Sequence, residues 1–230
     1  MDFEKLRAIL LWPHIIGGGI ALVTMWIPIL TRKGGKAHRN AGKVYAASML
    51  LAAVAALGIS AGWILGGDPR QLDKGLFFGM LGLLAMNTTL HGLRVLKQKR
   101  RVEAHKHPLD LALSALTLLA GAALTLYGLV GGSILNIAFG GLSVFASSGQ
   151  LRAMLRPPRE KMFWWFEHMG SMGASCIATT TAFLVVNGRF MPDAIPELVW
   201  WLLPPIVGTT ALIIAGRRER ARFAARTPEP

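Results

Sequence analysis

Residues 109–152 read LDLALSALTLLAGAALTLYGLVGGSILNIAFGGLSVFASSGQLR. A helix crosses roughly 30 Å of hydrocarbon with about 20 apolar residues, so this stretch is long enough for two crossings and too long for one. Gly131 and Gly132 stand between its halves, and glycine accepts the positive φ of a tight reversal at little steric cost. The stretch therefore reads as two antiparallel spans, about 109–130 and 133–151. Charge checks this independently. Arg152, Arg156, Arg159 and Lys161 follow the second half, and they fall on the same side as the other basic runs only if 133–151 is a crossing.

Working outward, five more windows have the required length and apolarity: about 9–30, 44–66, 75–96, 162–187 and 196–216. The expected fold class is all-α, a polytopic membrane helix bundle of seven transmembrane helices. It forms a single integral membrane domain over 1–230, with a polar tail at 217–230. The basic residues follow every second connection. Arg32, Lys33, Lys36, Arg39 and Lys43 border the first; Arg94, Lys97, Lys99, Arg100, Arg101 and Lys106 border the third. The run from Arg152 to Lys161 follows span five, and Arg217, Arg218, Arg220, Arg222 and Arg226 follow span seven. Only Lys5, Arg7, Arg70, Lys74 and Arg189 remain for the other side. The positive-inside rule then puts the C-terminus in the cytoplasm and the N-terminus outside, as expected for a multi-pass protein of a bacterial inner membrane.

A net charge of +13 would suggest nucleic acid in a soluble chain. With 53% hydrophobic residues and a mean hydropathy of +0.45, the cations read instead as topology signals that also attract anionic lipid headgroups. Trp12, Trp63, Trp200 and Trp201 fall toward the outer ends of their spans, and Trp26, Trp164 and Trp165 toward the inner ends, as in an interfacial belt. The single cysteine, Cys176, leaves no intramolecular disulfide. The first span is long, follows mixed charges and has no small-residue cleavage site, so it reads as an anchor rather than a cleaved leader. Pro204-Pro205 lies within span seven and is expected to kink or interrupt it.

Polar side chains are costly in hydrocarbon unless they face the bundle interior or water. At helical spacing, Asn87, His91 and Arg94 share a face of span three; Asp110, Ser114, Thr117, Gly121 and Thr125 a face of span four. Asn136, Gly140, Ser143, Ser147 and Gln150 share one of span five, and Trp164, His168, Ser171, Ser175 and Thr179 one of span six. These faces predict a polar seam among spans three to six, although small-residue stripes are also ordinary packing surfaces in membranes.

Of the six histidines, His14 lies in the outer half of span one; the other five gather at the cytoplasmic side. His91 and His168 are expected at comparable depth on two helices, the arrangement that axial ligation of a b-type haem requires. Gly92, Gly170 and Gly173 would admit the macrocycle, and basic residues such as Arg39 and Arg94 would meet its propionates. Simple hydrogen bonding at the interface is the plainer role for such histidines. His105, His107 and Asp110 form a short metal-like cluster, with His38 or His168 as further ligands of a divalent metal such as zinc. For Asp110 the simpler role is favoured: a carboxylate near a helix N-terminus, stabilising its dipole.

The first hairpin carries a motif. His14-Ile15-Ile16-Gly17-Gly18 is followed by Lys33-Gly34-Gly35-Lys36-Ala37-His38-Arg39-Asn40-Ala41-Gly42-Lys43-Val44-Tyr45. Together they resemble a family of uncharacterised bacterial multi-pass membrane proteins, a domain of unknown function with the pattern H-x-x-x-G, K-G-x-x-x-H-R-x-x-G-x-x-Y. His168-Met169-Gly170-Ser171-Met172 and the stretch 178–187 are similar to its last motif segment. The resemblance extends over spans one, two and six. It implies His14, His38, Arg39, Gly42, Tyr45 and His168 as motif positions, and no activity. In the hairpin, Gly34-Gly35 would make the turn, and Tyr45 would start span two at the interface.

The leading functional expectation is a redox protein. A b-type haem would be held by His168 with His91 or His38, and electrons would be exchanged with a quinone or a partner subunit. The alternatives are an assembly or accessory subunit, a metal-dependent membrane enzyme using His38, His168 and Asp110, and a small-solute transporter built on the seam.

Overall fold

The computed structural model describes residues 3–190 and 195–225. Among them there is no strand, and seven helical segments are long and apolar enough to cross a membrane. Span one is α1 (Phe3–Thr24) followed without a loop by the short α2 (Trp26–Leu30). The others are α3 (Lys36–Leu65), α4 (Pro69–Arg94), α5 (Pro108–Gly131), α6 (Ile134–Leu155), α7 (Phe163–Val186) and α8 (Glu197–Ala224). The 109–152 stretch is two helices, as its glycines suggested. Gly132 takes φ +69° in the left-handed region, and its N–H bonds back to Gly128. Gly34 does the same service at the first turn, with φ +74°.

Each helix packs chiefly on its neighbours in sequence. The α5–α6 pair approaches closely because Gly121 and Gly140 face each other: a Cβ on Gly140 would lie 2.7 Å from the Gly121 carbonyl oxygen. Gly17 does the same for α1 on α3, its virtual Cβ 2.7 Å from the Ser48 oxygen. The chain closes where α7 packs across α4 and reaches α1. In its most apolar stretch α4 has 61% of residues buried, and α8 has 6%. The first is therefore the central helix, and the second lies at the periphery against α7.

The connections carrying the basic residues meet at one end. Arg101 donates to the Ala153 carbonyl (2.8 Å), the His105 N–H to that of Met154 (2.7 Å), and Arg220 to Glu160 (3.1 Å). This places the ends of α4, α6 and α8 together, so residues 133–151 do cross the bundle.

Several local expectations are corrected. The helix after the first turn begins at Lys36, so His38 and Arg39 are helical rather than in a loop. Tyr45 consequently sits more than two turns inside α3 and is 1% exposed, not interfacial. Trp201 is buried too, because Phe77 and Phe139 enclose its ring at 5.2 and 5.6 Å between centres. Pro204-Pro205 does not interrupt α8, which runs through both. Neighbouring side chains and helices can make good such missing bonds in membrane helices. The polar tail is helical as far as Ala224; its segment from Arg226 to Pro230 lies outside the described residues.

Candidate functional site

The predicted seam exists, but it is divided between two places. Asn87 on α4 donates to Gln150 on α6 at 2.8 Å, and Ser114 on α5 lies 3.2 Å from oxygens of both. All three are buried, and the bonds satisfy groups that hydrocarbon would otherwise leave unpaired. The polar face of α7 turns elsewhere. Ser175 lies 2.7 Å from the Tyr45 hydroxyl on α3 and 2.8 Å from Thr89 on α4.

Below the Asn87 network, Asp110 ties three segments together. Its carboxylate accepts from Arg94 at the end of α4 and from His105 at 2.7 Å. Asp110 is 8% exposed, so its charge is stabilised by these partners as well as by its place in the first turn of α5. It is not brought to His38 or His168. His107 stacks on His105, ring centres 6.0 Å apart. Among the described residues, no group of three His, Cys, Asp or Glu side chains is placed to hold a metal ion.

Two further histidines sit where α3, α4 and α7 converge. The His168 Nδ1 is 2.7 Å from the Gly92 carbonyl oxygen, and the His38 Nδ1 is 3.0 Å from that of Pro28. A carbonyl can only accept, so each Nδ1 carries a proton and Nε2 is the nitrogen left facing away from the backbone. The rings are 6.3 Å apart between centres, at 63°. This geometry has a plain structural component. The Pro28 oxygen also accepts from Lys33 at 2.8 Å, so His38 and Lys33 together satisfy carbonyls left over at the end of α2. Burial pushes the Lys33 ammonium below its ordinary pKa.

The ring-centre separation of His38 and His168 is close to that of two imidazoles bound to one metal ion. With metal–imidazole bonds of about 2.0 Å and ring centres roughly 1.1 Å behind the ligating nitrogens, two axial rings stand about 6 Å apart. An Nδ1–H held by a backbone carbonyl is also the usual outer-shell arrangement of a ligating histidine. One turn beyond His38, a Cβ on the part-exposed Gly42 would meet no atom within 4 Å, so this motif glycine is not needed for close packing.

His91 is not part of that pair. Its Nε2 lies 3.1 Å from the Glu167 carboxylate, which accepts the Nε2 proton. Gly92 and Gly173, read as room for a macrocycle, are filled by Met172 and Leu212 and serve helix packing. Glu167 escaped the sequence reading: it stands next to His168, but its partner His91 is 76 positions away and no spacing ties the two. Arg39 is exposed next to His38. His14 is apart from all of these, its Nδ1 2.9 Å from the Ala52 carbonyl oxygen of α3.

No curated protein matches the chain, and no solved structure does. Residues 11–130 match a family model described as "Predicted membrane protein (DUF2306)". The match takes in His14, His38, Arg39, Gly42 and Tyr45, reaches through α5 almost to its end, and stops short of His168. It covers more than half of the 230 residues, and the chain therefore belongs to this family of predicted multi-pass membrane proteins.

Proposed function

We propose that this membrane protein is an electron carrier that binds a b-type haem between His38 and His168. The observation that carries the reading is the pairing itself: two histidines from different spans, each with Nδ1 on a backbone carbonyl, ring centres 6.3 Å apart. A bound haem supplies one-electron chemistry at a potential set by its axial ligands and their hydrogen bonds. The Gly92 and Pro28 carbonyls fix the ring orientations and make both imidazoles stronger donors. Arg39, with Lys99 above the Trp164 ring at 4.6 Å, supplies positive charge near the pair to offset propionates. Electrons would pass to or from a quinone or a partner subunit at the basic end.

Spectra of the detergent-purified protein, expressed with ample haem, test this. The wild type should give a Soret band and sharp α and β bands on dithionite reduction. His38→Ala and His168→Ala should each lose them, whereas His91→Ala should keep them. A colourless wild type, or bands that survive both of the first two changes, ends the haem reading.

The charge bias further supports a bacterial inner-membrane location with the basic end in the cytoplasm. A reporter fused after Arg217 should read cytoplasmic, and one inserted between Gly66 and Asp68 periplasmic; the opposite pattern overturns the orientation.

A further inference from the structure

The connection after α4 and the connection after α6 form an open groove of about 410 Å³ at the basic end, with neither His38 nor His168 among its lining residues. Lys99, Arg100, Arg101, Arg159 and Lys161 line it, and Glu160 is the single carboxylate among the lining residues. That carboxylate is already engaged, since it accepts from Arg220 at 3.1 Å. The groove therefore gathers five cations, four of them exposed, with one carboxylate that is already paired, so it carries a local excess of positive charge.

Arg101 sharpens the case. One of its terminal nitrogens donates to the Ala153 carbonyl, and its guanidinium lies over the Phe163 ring at 4.7 Å. Its Nε is buried and has no hydrogen-bond partner. A buried donor without an acceptor is rare, and a guanidinium donor fork matches the oxygens of a phosphate. Burial lowers the pKa of this group, and the Glu167 carboxylate opposes the shift.

We propose that this groove is a binding site for a phosphate-bearing anion, held by the part-buried Arg101 together with the exposed Arg159 and Lys161. The chemistry is common to a lipid headgroup and to free phosphate, and both can be offered to the full-length protein in detergent. The first probe is a short-chain phosphatidylglycerol and the second is inorganic phosphate, each against sodium chloride at equal ionic strength. Binding is read by thermal shift and by native mass spectrometry. Stabilisation by the lipid with a retained stoichiometric adduct assigns a headgroup site; stabilisation by inorganic phosphate alone assigns a soluble anion.

In either case the apparent Kd should weaken at least tenfold in Arg101→Gln. Arg101 also holds the Ala153 carbonyl, so the exposed double variant Arg159→Gln/Lys161→Gln provides a second reading that does not disturb that bond. It should weaken the same probe several-fold while leaving the unliganded melting temperature unchanged. If neither probe acts beyond the chloride control, or both variants bind like the wild type, the site does not exist.

Discussion

Replacing Asp110 with alanine should lower the melting temperature of the detergent-solubilised protein by roughly 10 °C. Asp110 is 8% exposed and accepts from both Arg94 and His105. Removing one member of a buried ion pair leaves the other desolvated without a counter-charge, a loss of about 3–5 kcal/mol. The Arg94 side chain retains 28% exposure, so the lower end, about 3 kcal/mol, is the appropriate figure. The loosened elements would be the end of α4, the connection after it and the first turn of α5. The double variant Arg94→Leu/Asp110→Leu should recover part of the loss, because it removes the orphaned guanidinium while His105 still lacks its acceptor. Thermal unfolding followed by tryptophan fluorescence checks both. A double variant no better than Asp110→Ala would show that the pair is not coupled.

A comparable effect should follow from a single methyl group on Gly140. Its Cβ would sit 2.5 Å from the Thr125 Oγ1 and 2.7 Å from both the Thr125 nitrogen and the Gly121 oxygen. Two of those atoms are backbone, so relief requires α5 and α6 to separate by about 1 Å. Overpacking of this kind costs about 1–3 kcal/mol, and here the upper end applies because no flexible side chain can yield. Gly141→Ala is the matched control: the same residue type, one position along, with nothing within 4 Å of the added carbon. Gly140→Ala should melt several degrees below Gly141→Ala. Equal melting temperatures would mean that the helices part at no cost.

The fold was legible because membrane topology is written in residue counts and charge. A run of apolar residues has few ways to satisfy its backbone in lipid, and the basic runs give each crossing its sense. Helix ends were less legible. Lys36, His38 and Lys43 look like loop composition, yet the backbone beneath them is helical, because helices extend past the hydrocarbon into the interface. The error at Tyr45 followed directly from that boundary. Helical faces were readable one helix at a time, which is why Asn87, Ser114 and Gln150 were all singled out. Periodicity says which residues share a face and nothing about which helix that face meets. Hence His168 was paired with His91, its neighbour across α4, although the Glu167 side chain occupies the His91 ring nitrogen. Glu167 itself carries no spacing signal that links it to a residue so distant in the chain.

The closure of α7 on the earlier helices bears on how the protein is made. Pairs such as α3–α4 and α5–α6 join neighbours along the chain, and such contacts form as soon as both partners are in the bilayer. The His38–His168 and Tyr45–Ser175 contacts each bridge 130 positions. They arise only after the sixth crossing has left the ribosome and swung back over α4. A nascent chain that ends between these two positions holds His38 without His168, so this long-range packing is among the last contacts the protein makes.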